Sequence, residues 1–112
     1  MKKNLKEFIS YFNKGNFFEA HEVLEDLWRK TLGTDKDALQ GLIQLAVACH
    51  HAKHKNEKGA FYEYSLARKK LTQHPPITLE INLKKLLSDA EIFFSHYKLH
   101  SDSSLFKIQT VK

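Results

Sequence analysis

One histidine and one glutamate stand four residues apart in the segment EAHEVLEDLWRK, residues 19–30. If this segment is helical, the side chains of His21 and Glu25 lie one above the other, and His21 falls inside the apolar face beside Trp28. An imidazole titrates near neutrality, and a neighbouring carboxylate can be its partner in acid–base chemistry or in metal binding. The spacing therefore indicates either a functional site or a polar contact that only stabilises the fold.

Three further polar residues, Gln40, Gln44 and His51, occur in the apolar segment ALQGLIQLAVACHHA, residues 38–52. On a helix these three side chains project within an arc of roughly 40°. Because a short connection usually places successive helices side by side, we expect this line to pack against His21 and Glu25. The sequence predicts a buried polar cluster between helices two and three, in which His21 and His51 meet directly or through one bridging atom.

The predicted cluster has two interpretations. In one, the glutamines and histidines satisfy each other and only brace the core. In the other, they line a small-molecule pocket in which Trp28 forms a wall and Arg29 attracts an anionic group. His21, Glu25 and His51 would then form a two-histidine, one-carboxylate set that suits zinc or iron, so a divalent transition metal is a candidate cofactor. The spacing is not that of the HExxH motif, because position 25 is Glu, and the sequence assigns no reaction.

The other five histidines are predicted to be surface residues. His50 and His54 fall on a different face of helix three from His51, and His74, His96 and His100 lie near predicted helix ends or on polar faces. The sequence therefore gives them no role in the predicted cluster.

The composition is that of one small globular protein of 112 residues. The single cysteine, Cys49, excludes an internal disulfide, which fits a reducing compartment, and we predict a cytoplasmic location. The uncharged stretch over residues 38–52 is too short to span a bilayer, so no membrane partner is expected. Lys6 and Glu7 interrupt the N-terminal apolar run, which argues against a targeting segment.

The net charge is +5, and the excess comes from residues 38–112. Six basic residues in the connection after helix three and in helix four could bind nucleic acid without sequence preference. They are Lys53, Lys55, Lys58, Arg68, Lys69 and Lys70. The sequence has no arginine cluster and no interleaving of aromatic with basic residues of the kind that marks a nucleic-acid interface, which argues against this function.

Helical periodicity predicts an all-α fold, a compact bundle or array of about five helices in a single domain over residues 1–100. The first three helices are predicted over residues 4–13, 17–32 and 34–54, and the fifth over residues 82–98. The fourth follows Asn56 and has an inner stripe that ends at Leu71, before Pro75 and Pro76 break the chain. Residues 101–112 are predicted to form an irregular or extended tail, pinned if at all by Leu105, Phe106 and Ile108.

End signals give these boundaries. Gly15 and Gly33 are placed to end the first two helices. Asn16, Thr34 and Asn56 are placed to cap the second, third and fourth.

An excess of aromatic residues in helices four and five indicates a second kind of function. The segment AFYEYS distributes its aromatic side chains around helix four, and EIFFSHY does the same for helix five. The residues concerned are Phe61, Tyr62, Tyr64, Phe93, Phe94 and Tyr97. Apolar surface that one face cannot bury often contacts a partner, so a self-associating module, such as a homodimer, is the alternative to a ligand-binding domain.

Three blocks of this sequence resemble a known family. FFEAHEVLEDLWR, LQGLIQLAVACHH and the later Asn56, Gly59 and Ala60 closely resemble the small prokaryotic proteins called domain of unknown function 309, over roughly residues 8–72. The positions that match the family pattern are His21, Glu22, Glu25, Trp28, Arg29, Gln40, Gly41, Gln44 and His51. The resemblance implies a compact all-α fold and no known reaction, substrate or cofactor. It adds Glu22 to the candidate pocket residues.

Overall fold

The computed structural model describes residues 1–95 and 105–111. Five α-helices follow one another along the chain: α1 (Lys3–Asn13), α2 (Phe17–Lys30), α3 (Gly33–Lys53), α4 (Glu57–Leu71) and α5 (Leu83–Ser95). Two short strands, β1 (Ile77–Thr78) and β2 (Ile81–Asn82), precede α5 and pair antiparallel. The all-α prediction is confirmed. The predicted end of the fifth helix, at residues 96–98, lies outside the described residues.

Helix α3 lies at the centre of the fold. It packs against α2 on one side and against α4 on the other, while α1 packs against α2 and α5 against α4. Ten of its residues are buried, including Leu42, Ala46 and Cys49, so it is apolar on most of its circumference. Such a helix stabilises the fold through tertiary packing, since apolar area is removed from water on nearly every side.

The helix ends follow the predicted signals in part. Gly15 and Gly33 have φ of +83° and +72°, the left-handed conformation that glycine adopts without a steric penalty. The Asn56 side chain accepts a hydrogen bond from the Gly59 backbone N–H at 3.1 Å and caps α4, as predicted. Asn16 is the N-cap residue of α2, as predicted, but its side chain makes no capping hydrogen bond.

The predicted Thr34 cap is wrong. The backbone is extended at Thr31 and Leu32, and α3 begins at Gly33 with Leu32 as its N-cap residue. Thr34 therefore lies inside the first turn of the helix, where its side chain cannot serve as the N-cap.

The segment after Pro76 forms a small hairpin that the sequence did not indicate. Leu79 and Glu80 connect β1 to β2 with φ of 54° and 62°, as in the two-residue turns that match the twist of paired strands. Two-residue strands are too short for a period-2 pattern to be recognised in the sequence.

The chain from Leu105 to Val111 runs extended along α1 and the hairpin. The Asn13 side chain donates to the Ile108 carbonyl at 3.0 Å and accepts from the Ile108 N–H at 2.7 Å. Thr110 bridges to Ile81, and Ile108 is buried. These contacts hold residues 105–111 of the predicted irregular or extended tail, while residues 101–104 and 112 lie outside the described part.

Much of the predicted aromatic excess belongs to the core. The Tyr64 ring stacks on Phe94 with 4.3 Å between centroids, and Phe93 and Phe94 are both buried. These three side chains belong to the part of the aromatic surface that the fold buries, because α4, α5 and Phe106 enclose them. Phe61 and Tyr62 are exposed, and Tyr97 lies outside the described residues.

No helix within residues 1–95 and 105–111 has the length and apolar content needed to cross a membrane.

Candidate functional site

A ladder of charged side chains runs along one face of α2. His21 Nε2 lies 3.2 Å from Glu25 Oε2, and Arg29 Nη2 lies 3.0 Å from Glu25 Oε1. Arg29 Nη1 donates to Asp26 Oδ1 at 2.7 Å. The spacing of four residues places these groups one turn apart, which is why the sequence could identify the His21–Glu25 pair. Because Arg29 already pairs with two carboxylates, it is not arranged to attract a further anionic group.

Both ring nitrogens of His21 face acceptors. Nδ1 lies 2.8 Å from the Phe18 carbonyl oxygen, and Nε2 faces the Glu25 carboxylate. Both ring nitrogens of His21 therefore already have a partner within α2.

His51 is bound to the start of α4 rather than to His21. Its Nδ1 lies 3.3 Å from Asn56 Nδ2, and its carbonyl oxygen accepts from the Asn56 N–H at 2.8 Å. Asn56 Nδ2 is a donor, so Nδ1 of His51 accepts and the ring proton sits on Nε2. The predicted contact between His21 and His51 is therefore wrong, because each histidine has its own partners.

No metal site forms from the predicted set of His21, Glu25 and His51. In the described ranges, 1–95 and 105–111, no group of three or more His, Cys, Asp or Glu side chains is placed to hold a metal ion. The physical reason is the separation of the two histidines, one in the α2 ladder and the other at the α4 cap.

The line of Gln40, Gln44 and His51 lies at the edge of α3, between α2 and α4. None of the polar or charged residues in the described part of the chain is buried, so the expectation of a buried cluster is wrong. The core-facing side of α3 carries Leu42, Ala46 and Cys49 instead. Gln44 is half-buried as a residue, yet its Oε1 atom is inaccessible to solvent and has no hydrogen-bond partner.

Trp28 and Gln40 line a shallow open cleft. Its volume is about 460 Å³, and Lys36 Nζ lies 4.3 Å from the centre of the Trp28 ring. The full lining is Trp28, Gly33, Lys36, Asp37, Gln40 and Lys70. Of the predicted pocket residues, these two alone contribute to this cleft. Glu22, which the family resemblance added to the candidate pocket residues, is exposed on α2 and does not line this cleft.

Sequence reasoning missed a group of histidines at the end of α3. The His50 ring lies 4.3 Å from the His54 ring and 6.0 Å from the His51 ring, measured between centroids. Phe18 on α2 lies 6.0 Å from His50 and 5.3 Å from His21. Burial, followed by the charges of His54, His51 and His21, lowers the pKa of His50. The i, i+4 spacing of His50 and His54 was the signal that could have identified them.

Several of the basic residues considered for nucleic-acid binding are engaged within the protein. Lys53 Nζ donates to the Gly15 carbonyl at 2.9 Å, Arg68 Nε lies 3.0 Å from Glu91 Oε1, and Lys70 Nζ lies 3.1 Å from Asp37 Oδ1. These contacts compete with phosphate contacts, so they give no support to a nucleic-acid interface.

Comparison with known proteins agrees with the resemblance in the first three helices. An uncharacterized protein of Aquifex aeolicus (strain VF5) is 40% identical over 53 residues, which are 46% of this chain and 16% of that protein. The match thus covers a small part of that longer relative. The model of the family described as domain of unknown function 309 matches residues 5–62, more than half of the chain. This chain belongs to the domain of unknown function 309 family.

Proposed function

We propose that this chain is a small-molecule-binding domain whose ligand donates a hydrogen bond to Gln44. The observation that carries the proposal is the unpaired Oε1 atom of that residue. Within residues 1–95 and 105–111, it is the one inaccessible side-chain nitrogen or oxygen without a partner. An unpaired buried acceptor costs about 1–3 kcal/mol, and a ligand donor would remove that cost.

The position of Gln44 supports a shared site with α2. The Phe18 ring contacts the His50 ring at one end of the α2–α3 interface, and Lys36 lies over Trp28 at the other. The two helices are therefore antiparallel, and the middle of α2, where Glu25 lies, is level with Gln40 and Gln44. The Glu25 carboxylate is already paired with His21 and Arg29, so the Gln44 amide is the group that remains for a ligand.

The neighbouring cleft indicates the chemical class of the ligand. Gln40 lines the cleft beside Trp28, and Gln44 follows four residues later, a rise of about 6 Å along the helix. A small molecule with a flat apolar part against the indole and an N–H or O–H group one turn away fits this arrangement. Most binding sites combine an apolar wall with a few placed polar groups in this way.

Benzamide is a suitable probe, because it joins a flat ring to an amide donor, and methyl benzoate is the matched probe without a donor. We expect benzamide to shift the Trp28 indole and Gln44 side-chain amide signals in NMR titrations, and methyl benzoate to shift them much less. Gln44→Met keeps the side-chain length and removes the acceptor, so it should abolish the preference for benzamide. Equal shifts from both probes, or an unchanged preference in Q44M, would reject the proposal.

The stability of Q44M separates a ligand site from a brace. If Gln44 only braces the core, removal of its amide should destabilise the protein by about 1 kcal/mol or more. If Oε1 of Gln44 is instead paired only when a ligand is bound, Q44M without ligand should be at least as stable as the ligand-free original protein. The reason is that the substitution removes an unpaired polar atom.

Self-association is the second candidate, and exposed apolar side chains favour it. Phe18, Leu32 and Tyr62 have exposed fractions of 51%, 83% and 62%. Light scattering at several protein concentrations in the micromolar range measures the molecular mass and so tests for a homodimer. The mass of a monomer at every concentration would reject self-association. A dimer that the changes Leu32→Ser or Tyr62→Ser dissociate would support it.

A further inference from the structure

His50 and His54 lie against each other in the last turn of α3. Their ring centroids are 4.3 Å apart and their ring planes differ by 40°. Residues at i and i+4 share one face of a helix, with about 5–6 Å between their Cβ atoms. Two imidazoles at this separation can direct one nitrogen each at a common ion. Neither ring belongs to the ladder on α2 or to the Gln44 site.

The hydrogen bond of His54 fixes which nitrogen is available. Nδ1 of His54 lies 2.9 Å from the carbonyl oxygen of His50. A carbonyl oxygen only accepts, so Nδ1 carries the proton and the free lone pair is on Nε2. Metal-binding histidines almost always donate their second ring N–H to a carbonyl or a carboxylate in this way, which orients the ring. His54 is exposed, so Nε2 is accessible to an ion from solution.

Two side chains of α2 also lie close to His50. Phe18 packs beside its ring, with 6.0 Å between ring centroids. Glu19, also on α2, is close enough for its negative charge to act on His50. His51 is a neighbour on α3, but its Nδ1 is occupied by Asn56, and both nitrogens of His21 face partners within α2.

We propose that His50 and His54 form a two-histidine site for a divalent transition metal such as Zn²⁺. Imidazole nitrogen is a preferred ligand of this borderline metal, and water would complete the tetrahedral coordination. With two protein ligands the site keeps open positions, which distinguishes it from a closed structural zinc site. The proposal replaces the set of His21, Glu25 and His51 and is independent of ligand binding at Gln44.

Calorimetric titration of the untagged protein with zinc chloride tests the proposal. We expect binding of one ion, and both His54→Gln and His50→Gln should weaken it at least about tenfold, since loss of a direct ligand exceeds the 10–100-fold effect of a lost supporting contact. H51Q and H74Q are matched controls that should leave zinc affinity unchanged. Circular dichroism verifies that each variant is folded, and the exposed position of His54 makes H54Q the least disruptive change.

NMR locates the ion independently of affinity. Addition of zinc should shift the backbone amide NMR signals of residues near 50–54 in the original protein. The same signals should not shift in H54Q. The proposal is overturned if the original protein binds no zinc, if H54Q binds it with unchanged affinity, or if H51Q and Glu25→Gln abolish binding while H54Q does not. The last result would restore the set first expected from the sequence.

Discussion

Glu25 joins His21 to Arg29 along three successive turns of α2, with 3.2 Å from its Oε2 to His21 Nε2 and 3.0 Å from its Oε1 to Arg29 Nη2. All three side chains are partly exposed, at 36% for Glu25, 21% for His21 and 60% for Arg29. Water therefore screens the charges, and the ladder stabilises a helix edge rather than the core.

The first prediction concerns the strength of this ladder. Glu25→Gln removes the charge shared by both contacts and should lower the free energy of unfolding by about 0.5–1 kcal/mol, since exposed i, i+4 pairs contribute a few tenths each. Urea denaturation measures the change, with Glu22→Gln on the outer face as control. A loss of about 3 kcal/mol or more would contradict the exposed ladder, because losses of that size follow the breaking of buried ion pairs.

The sequence was sufficient to locate α2 and its paired residues, because the relevant periodicity is local. His21 and Glu25 are four residues apart, and a helix brings any such pair together. The same local logic identified the Asn56 cap, whose bond to Gly59 spans three residues. The spacing of His50 and His54 is equally local, but the two histidines lie on a different face of α3 from His51 and so fall outside the predicted cluster.

The packing of α2 against α3 could not be predicted from residue spacing alone. The predicted contact of His21 with His51 required the rotation and register of two helices, which depend on packing among many residues rather than on one spacing. In the structure His51 faces the start of α4 and the ladder faces solvent. The bridge between Ile81 and Thr110 joins distant segments, and no short motif indicated it.

The second prediction concerns acid stability. Asp37 accepts from His74 Nε2 at 2.8 Å and from Lys70 Nζ at 3.1 Å, and these bonds, that of His74 first, lower the pKa of the Asp37 carboxyl below 3.8. As the pH falls, the Asp37 carboxyl is therefore protonated at a higher pH in the unfolded state than in the folded state. The stabilising contribution of Asp37 is therefore complete above about pH 4–5 and is lost as the pH falls through the lower native pKa.

Asp37→Asn should accordingly be less stable at pH 7 by about 1 kcal/mol or less, because the pair is partly exposed. The difference from the original protein should shrink as the pH falls from 4 towards 3, as urea denaturation at several pH values can show. In a His74→Gln background the effect of D37N should be smaller, since the two residues share one interaction. A difference that stays constant from pH 7 to 3 would contradict the assignment.

The third prediction concerns the close approach of α3 and α4. A Cβ atom at Gly41 would lie 2.7 Å from Leu71 Cδ2 and 2.8 Å from its Cγ, and Leu71 is fully buried. Alanine normally stabilises a helix interior by about 1 kcal/mol relative to glycine. Here overpacking of about 1–3 kcal/mol should exceed that gain, so Gly41→Ala should be destabilising.

Thermal or urea unfolding measures this change, and the double variant Gly41→Ala/Leu71→Ala provides the control. Leu71→Ala alone should cost about 2–5 kcal/mol through a cavity. The double variant should cost less than the sum of the two single changes, because the new methyl group occupies part of the space that Leu71 leaves. Stabilisation by G41A would show that the helices can separate at this point without loss.

The fourth prediction concerns Asn56 and Gly59, which the fold makes dependent on each other. A Cβ atom at position 59 would lie 2.7 Å from Asn56 Nδ2 and 3.1 Å from His51 Cδ2. The Asn56 side chain cannot turn away without losing its cap on the Gly59 N–H and its contact with His51. Gly59→Ala should therefore be destabilising, although the position is helical and alanine is the better helix former.

A double-mutant cycle separates the cap from the steric conflict. Asn56→Ala alone should cost about 0.5–2 kcal/mol, the usual range for a lost N-cap. Once the Asn56 amide is absent, the main obstacle to a methyl group at position 59 is gone, so Gly59→Ala should be neutral or stabilising in the N56A background. Urea denaturation of the four proteins should give a favourable coupling of about 1 kcal/mol, within the range for residues in contact. Strict additivity would mean that Asn56 relaxes freely, and that its bond to Gly59 does not hold the start of α4 against His51.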